Sequence, residues 1–562
     1  MKKYILTFLL ICSFSTTFSQ VEDAWVYFKD KPSETSYYST PLNMLSQRAL
    51  DRRTRFSIPL DYNDIPIESV YITAVKNSAG IIVLAKSKWL NALHIQGTQV
   101  NIDALLNLDL AGNFFVDSIE YANTSLNSSK PENKLNKVSK LKNKQLEITT
   151  NFNYGNAENQ IVMLGGDTLH QNNFTGTGMQ IAVMDAGFPN VDNFLAFKRI
   201  RDNGQILGGY DFVNRSTNFY AGDSHGTSVL STIAGYLENG VDGATTNFVG
   251  TAPDASYYLF RTENAPVEVK LEESLWVEAA EKADSLGVDV INTSLGYSVF
   301  FDNPAHNYEY SDMDGQTAFI TRGAEIAFSR GMIIVNSAGN EGNDPVWPYI
   351  NAPADGPSIL TVGAVNSLGD IASFSSFGPT FDGRIKPDVC AQGQGTYIIN
   401  SSGNVAAANG TSFSSPVLAG VVTCLWQAFP NKTNTEITQL VRESAHLYAT
   451  STAAIPTIDY QFGYGIPNFV TIFDALEIEN LEVKNDEVLF YPNPVTNVIR
   501  FNFPKTISEM KISVYNVLGK NRCQTKILKS SPIANLSFLT KGLYFIQIEF
   551  NNEIKTFKIL KN

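Results

Sequence analysis

Between about residues 155 and 478, short apolar runs rich in β-branched residues alternate with longer stretches whose apolar positions recur every three or four residues. A run of four to eight apolar residues fits a buried strand, and the longer period fits a helix with one face against it. This reading places strands at 180–184, 256–260, 288–293, 332–336 and 359–365, and helices at 226–235, 269–286, 318–330 and 412–428. Strand and helix in alternation predict an α/β, three-layer domain built on a parallel sheet. Residues 20–125 carry alternating runs at 24–28 and 81–85 and a basic stretch from Arg48 to Arg55 at helical spacing, which predicts a small α+β domain. In 488–562 the period falls to two at 511–515 and 542–550, broken by turn pairs such as Gly519-Lys520 and Asn551-Asn552. That is the pattern of a C-terminal all-β sandwich.

The stretches between these units differ in composition. Lys2 and Lys3, an apolar run over 4–14 and the small residues Thr17 and Ser19 read as a secretory signal over 1–19, too short to span a membrane. No later stretch reaches the ~18 apolar residues of a span, so no stable membrane span is expected. Residues 126–154 are rich in Ser and Asn and hold Lys130, Lys134, Lys137, Lys140, Lys142 and Lys144. They read as an exposed linker in which maturation cleavage is expected, and 479–487 reads as a second, shorter linker. A net charge of −13 argues against nucleic acid as a partner. With the signal removed, Cys390, Cys424 and Cys523 remain, an odd number for an oxidising compartment, so one at least lacks a partner within the chain. The apolar neighbours Val389, Val421, Val422 and Leu425 make Cys390 and Cys424 small buried hydrophobes.

Three stretches of the middle domain carry chemistry. Ile181 to Gly187 is an apolar strand ending on Asp185, Asp223 to Thr227 opens a helix with His225, and Asn409 to Pro416 delivers Ser412 to the start of an apolar helix through a glycine turn. A serine hydroxyl is a poor nucleophile at neutral pH, so it needs an adjacent base, and the base needs a buried carboxylate to fix its tautomer. Ser412 then attacks, His225 shuttles the proton and Asp185 orients His225. The N-terminus of the helix at Ser412 faces the developing oxyanion, and the Asn340 amide, in the turn 338–342 after a buried strand, is the second donor.

The chain order Asp, His, Ser is that of subtilisin. Asp185-Ala186-Gly187, His225-Gly226-Thr227, Ala338-Gly339-Asn340 and Gly410-Thr411-Ser412, in that order, make residues 160–478 resemble the catalytic domain of a subtilisin-like serine peptidase of family S8. The resemblance implies a secreted serine endopeptidase acting on protein or peptide substrates through an acyl-enzyme. It also implies that Ser294, Leu295 and Gly296 pair with the substrate backbone and form one wall of the P1 pocket, with Ala338 and Gly339 as the other. No cofactor is implied for the chemistry, and structural calcium stays open. The acidic stretch from Tyr308 to Gly315 reads as a solvated loop or cleft rim, with a calcium loop as the other reading. Ala352-Pro353 occupies the place of a family cis-proline. Ala186 stands where the family has Ser or Thr, and Phe413 where it often has Met. His94, His170, His306 and His446 read as core or surface residues.

Residues 20–125 resemble a propeptide that serves as folding chaperone and inhibitor. The C-terminal unit, with Phe490 to Pro494, Val514-Tyr515-Asn516 and Gly542-Leu543-Tyr544, resembles the type A sorting domain of the type IX secretion system of Bacteroidota. The implied route is signal-directed export, passage of the outer membrane by the type IX machinery, then removal of the tail. The competing reading is a catalytically silent surface-binding protein that keeps the fold. A sedolisin-type peptidase would need Glu for His225 and Asp for Asn340.

Overall fold

The structure, a computed structural model, describes residues 20–127, 151–448, 460–483 and 489–561, apart from 492, 496, 504–506, 530 and 551–552. The signal over 1–19 and most of the linker expected over 126–154 lie outside the described residues. By contacts the chain divides into two units, Met1–Val470 and Thr471–Asn562.

In the first unit, residues 20–126 form an antiparallel sheet of four strands, β1 (Val21–Phe28), β2 (Ile82–Ser87), β3 (Ala92–Thr98) and β4 (Val116–Tyr121), in the order β2-β3-β1-β4. A helix, α1 (Gln47–Arg55), is capped by Ser46, whose Oγ accepts the Ala49 N–H.

The remainder of that unit is built on seven strands: β5 (Gln180–Asp185), β6 (Ile206–Asp211), β7 (Ser256–Arg261), β8 (Val290–Thr293), β9 (Ile333–Ser337), β10 (Leu360–Val365) and β11 (Val389–Gln392). Their order is β11-β10-β9-β8-β5-β7-β6, and every pairing is parallel. The chain winds one way from β5 and the other way from β8, so the two neighbours mark a topological switch point. Open parallel sheets leave a crevice there, at the carboxyl ends of the strands. Helices α2 (His225–Ala234), α3 (Lys270–Leu286), α4 (Phe319–Ser329) and α5 (Thr411–Ala428) fall where the sequence period places them. Two strands, β6 and β11, were not legible. The apolar run of β6 is interrupted by Gly208-Gly209 at a half-exposed sheet edge, and β11 is only Val-Cys-Ala-Gln.

The N-terminal sheet lies on α3 and α4. Trp25 donates from Nε1 to Ser274 Oγ at 2.8 Å and stacks on Phe319 at 4.8 Å between ring centroids. Glu281 Oε1 accepts Ser87 Oγ at 2.7 Å and Trp89 N–H at 2.9 Å. The basic helix α1 meets the C-terminal end of α3. Arg48 donates to Gly287 O and to Asp289, Arg52 to Val288 O and Asp284, and Arg53 to Asp284 and Asp64. Burial would raise the Asp284 carboxyl, but the guanidiniums of Arg53 and Arg52 hold it below the usual carboxylate range. These cations also meet the negative end of the α3 dipole.

The second unit contains two antiparallel sheets. One has three strands, Leu489–Tyr491, Val498–Asn502 and Ile533–Asn535; the other has four, Glu509–Asn516, Asn521–Leu528, Gly542–Phe550 and Glu553–Lys561. Ile499, Phe501, Ile512, Val514, Ile546 and Ile548 from both sheets share one core, as expected of a sandwich. Cys390 and Cys424 are buried thiols, Cys523 is a half-buried thiol, and no disulfide is present among the described residues.

Candidate active site

Asp185 is the last residue of β5 and is 2% exposed. Helix α2 approaches that strand end because Gly226 has no side chain: a Cβ there would lie 2.4 Å from Gly187 O and 2.9 Å from Asp185 Cβ. The close approach puts His225 Nδ1 2.8 Å from Asp185 Oδ1. Asp223 Oδ1 accepts the His225 N–H, one of the donors left free at a helix start. The negative charge of Asp185 raises the pKa of His225 above 6.5, against the opposing effect of burial. Asp185 Oδ1 also accepts the Ala186 N–H at 2.7 Å, while Oδ2 is buried with no hydrogen-bond partner among the described residues.

Ser412 is the second residue of α5. Gly410, at φ +148°, makes the turn that points the helix start at the cleft, a conformation that favours glycine. Four residues on, Pro416 has no N–H for the Ser412 carbonyl. Ser294 Oγ supplies the missing donor at 2.9 Å, so the serine at the end of β8 holds the first turn of α5 in place. Ser412 Oγ donates to Ser294 O at 3.4 Å, and among the described residues no hydrogen bond joins it to His225. The His225 ring nevertheless lies beside this turn, its centroid 6.1 Å from that of Phe413.

The turn 338–340 is joined to the turn 410–412. Thr411 N–H donates to Asn340 Oδ1 at 2.8 Å, Thr411 Oγ1 donates to Gly339 O at 3.0 Å, and Gly339 N–H donates to Thr411 Oγ1 at 3.2 Å. The two amides of Asn340 therefore differ in use. Its backbone N–H is spent on Glu341 Oε2 at 2.8 Å, whereas its Nδ2 has no acceptor among the described residues. The Ser412 N–H, in the first helical turn, likewise has none. Of the two amides of Asn340, the side-chain carboxamide is therefore the one left with a donor to offer, a distinction the sequence left open.

Of the expected substrate-binding residues, Ser294 is engaged with Ser412, while Leu295 O accepts Asn336 Nδ2 and the N–H groups of Leu295 and Gly296 have no acceptor among the described residues. Ala338 is fully buried and Gly339 half-buried. Glu341, Asn351 and Ser376 were not singled out beforehand: Glu341 Oε2 accepts Asn351 Nδ2 at 3.0 Å and Ser376 Oγ at 3.1 Å. The adjacency of Glu341 to Asn340 was visible in the chain, but nothing local marks Asn351.

In the acidic stretch from Tyr308 to Gly315, Asp314 Oδ1 caps the N–H groups of Gln316 and Thr317. Among the described residues no cluster of three or more His, Cys, Asp or Glu is suited to a metal. His170 is buried between Tyr154 OH and Thr251 O, and burial pushes it down to about 4, as suits a core residue. Ala352-Pro353 is cis.

Comparison with known proteins bears on all three regions. Residues 176–465 match the subtilase family, residues 23–139 match the peptidase S8 propeptide domain of Bacteroidota, and residues 489–562 match a secretion system C-terminal sorting domain. Subtilisin NAT of Bacillus subtilis subsp. natto is 31% identical over 309 residues, covering 55% of this chain and 69% of its own. The subtilisin of Bacillus pumilus is 30% identical over 309 residues, covering 55% of this chain and 95% of its own. Membrane-bound transcription factor site-1 protease of Rattus norvegicus is 31% identical over 269 residues, 47% of this chain and 22% of that one. The matches make the middle region a serine-type endopeptidase, the N-terminal region its propeptide and the C-terminal unit a secretion-system sorting domain.

Proposed function

The chain belongs to the subtilase family of serine peptidases, and from that premise we propose that it hydrolyses peptide bonds with Ser412 as nucleophile, His225 as base and then acid, and Asp185 as orienter of His225. The supporting observation is the 2.8 Å contact between His225 Nδ1 and Asp185 Oδ1 beside the N-terminus of α5. It fixes the proton on Nδ1 and turns the Nε2 lone pair outward.

Rotation about χ1 moves the Ser412 hydroxyl from Ser294 O to Nε2. Catalytic hydrogen bonds of this kind are often long or misdirected before substrate binds. Ser412 Oγ then attacks the scissile carbonyl while its proton passes to Nε2, and Asp185 stabilises the imidazolium. The oxyanion is met by Asn340 Nδ2 and the Ser412 N–H, two donors that have no acceptor among the described residues. His225 returns the proton to the leaving amine, and a water activated by Nε2 hydrolyses the ester. The N–H groups of Leu295 and Gly296 hold the substrate as an added strand. Residues 1–19 direct inner-membrane export, the linker over 126–154 is cut during maturation, and the propeptide inhibits until then.

In purified precursor, Ser412→Ala is expected to abolish both proteolysis and propeptide removal, read as the loss of the processed band on a gel. Unchanged processing of Ser412→Ala, with no host protease present, would defeat the assignment.

A further inference from the structure

The segment Ser294 to Gly296 runs directly into Tyr297, and Tyr297 is where it is fastened. The main chain of Tyr297 pairs with Ala352, donating its N–H to Ala352 O at 2.9 Å and accepting the Ala352 N–H at 3.0 Å. The residue is 1% exposed, its ring stacks on Phe301 at 5.8 Å between centroids, and its hydroxyl donates to Glu263 Oε2 at 2.7 Å. Glu263 stands two residues beyond the end of β7. The residue between, Thr262, donates its N–H to Asp185 O at 3.0 Å, and its Oγ1 lies 3.1 Å from Glu263 Oε1. The bond between Tyr297 and Glu263 therefore joins the substrate strand to the main chain beside Asp185.

Glu263 is met by hydroxyls and other acids. Glu272 on α3 is 2% exposed and accepts the Asn264 and Val269 N–H groups at 2.7 and 3.0 Å, and the Asp302 N–H donates to Glu268 O at 3.0 Å. The neighbouring cations are used elsewhere: Arg261 on Asp211 and Ala186 O, Lys270 on Glu273. Among the described residues no ion pair involves Glu263. Burial, and then the charge of Glu272, push the Glu263 carboxyl well above its ordinary range. Burial, followed by Glu272 and Glu273, pushes Glu268 up to about 8. A protonated carboxyl accepts the Tyr297 hydroxyl on one oxygen and offers its own proton to Thr262 Oγ1 from the other. We propose that Glu263 is a positioning residue that acts through the Tyr297 hydroxyl to hold Ser294 to Gly296 in register for the substrate backbone. The inference rests on the reading of that segment as the strand that pairs with substrate. The bond needs only an uncharged acceptor, so Gln should serve at this position where Ala does not.

The test uses self-processed enzyme and two p-nitroanilides with the same P1 residue, a tetrapeptide that runs along the strand and a single-residue amide that does not. Glu263→Ala is expected to raise KM for the tetrapeptide about tenfold with kcat within about threefold, so that the ratio of kcat/KM between the two substrates falls about tenfold, the scale of one hydrogen bond. Glu263→Gln is expected to restore KM to within about threefold of wild type. Tyr297→Phe removes only the hydroxyl and should reproduce the loss, which gives the same answer if Glu263→Ala fails to mature. The double variant of Glu263→Ala and Tyr297→Phe should lose no more than either alone, because both act through one bond. An unchanged ratio in Tyr297→Phe, a Glu263→Gln as impaired as Glu263→Ala, or losses that add in the double variant would overturn the proposal. Failure of the strand reading shows differently, as a wild type that gains nothing from the longer peptide, and failure of the catalytic reading as absence of turnover on both substrates.

Discussion

The propeptide face of the catalytic domain and the cleft at the ends of β5 and β8 use the same polar groups to opposite ends. On the propeptide face, Asp284 has its oxygens matched by Arg52 and Arg53, Glu281 is matched by Ser87 and Trp89, and the end of α3 is capped by Arg48 and Arg52. In the cleft, Asp185 Oδ2, Asn340 Nδ2 and the Ser412 N–H have no partner among the described residues, and the Ser412 hydroxyl rests 3.4 Å from a carbonyl. Buried polar groups that are satisfied hold elements together, whereas Asn340 is exposed and Ser412 only half-buried. The matched face, however, is matched by the propeptide, which the proposed maturation would remove. Arg53, Arg52 and Lys88, the first three cations that lower Asp284, all belong to the propeptide.

Breaking the matched face should carry the larger effect on stability. Replacing Arg52 and Arg53 together by Ala leaves Asp284 buried without the two guanidiniums that hydrogen-bond it, and loss of one side of a buried ion pair costs about 3–5 kcal/mol. The expected result is a precursor of Ser412→Ala that unfolds at markedly lower urea concentration and is secreted poorly. An unshifted midpoint would mean that the arginines only decorate the interface. Disturbing the cleft should leave stability alone and strike turnover. Asn340→Ala is expected to lower kcat by roughly 10²–10³-fold with little change in KM, a scale taken from subtilisin itself, to which this chain is related. An equal loss in binding would place Asn340 among the substrate contacts instead.

The smallest effect is on the pH profile. His225 must be neutral to accept the Ser412 proton, and Asp185 raises its pKa. The acid limb of kcat/KM should therefore lie above pH 6.5, with activity rising as pH increases through it. Asp185→Asn should move that limb downward in the residual activity, because the charge that favours the imidazolium is gone. A limb that stays in place would assign it to another group.

What was legible along the chain follows from how local each feature is. Asp185, His225, Ser412 and Asn340 each sit in a short motif at the junction of two elements, and the apolar periods of β5, β7, β8, α3 and α5 extend over enough residues to be seen. Even so, the sequence could not separate the backbone amide of Asn340 from its carboxamide, because the choice is made by Glu341 and Thr411 through the fold. The basic stretch from Arg48 to Arg55 was visible as a helix, but its acidic counterpart lies more than 200 residues away. Asn351 carried no signal, since its contacts with Glu341 and Ala338 are made only by the fold. The edge strand β6 was hidden for a different reason: half-exposed and broken by two glycines, it lacks the apolar run on which strand recognition depends.

The assembly of Asp185, His225 and Ser412 into one reacting unit is tested most directly by a fluorophosphonate probe followed by peptide mapping. Self-processed wild type should carry a single adduct, on the peptide that contains Ser412, and His225→Ala should lose it while remaining folded. An adduct on a different serine, or a preparation that cleaves peptides yet takes no label at Ser412, would contradict the mechanism.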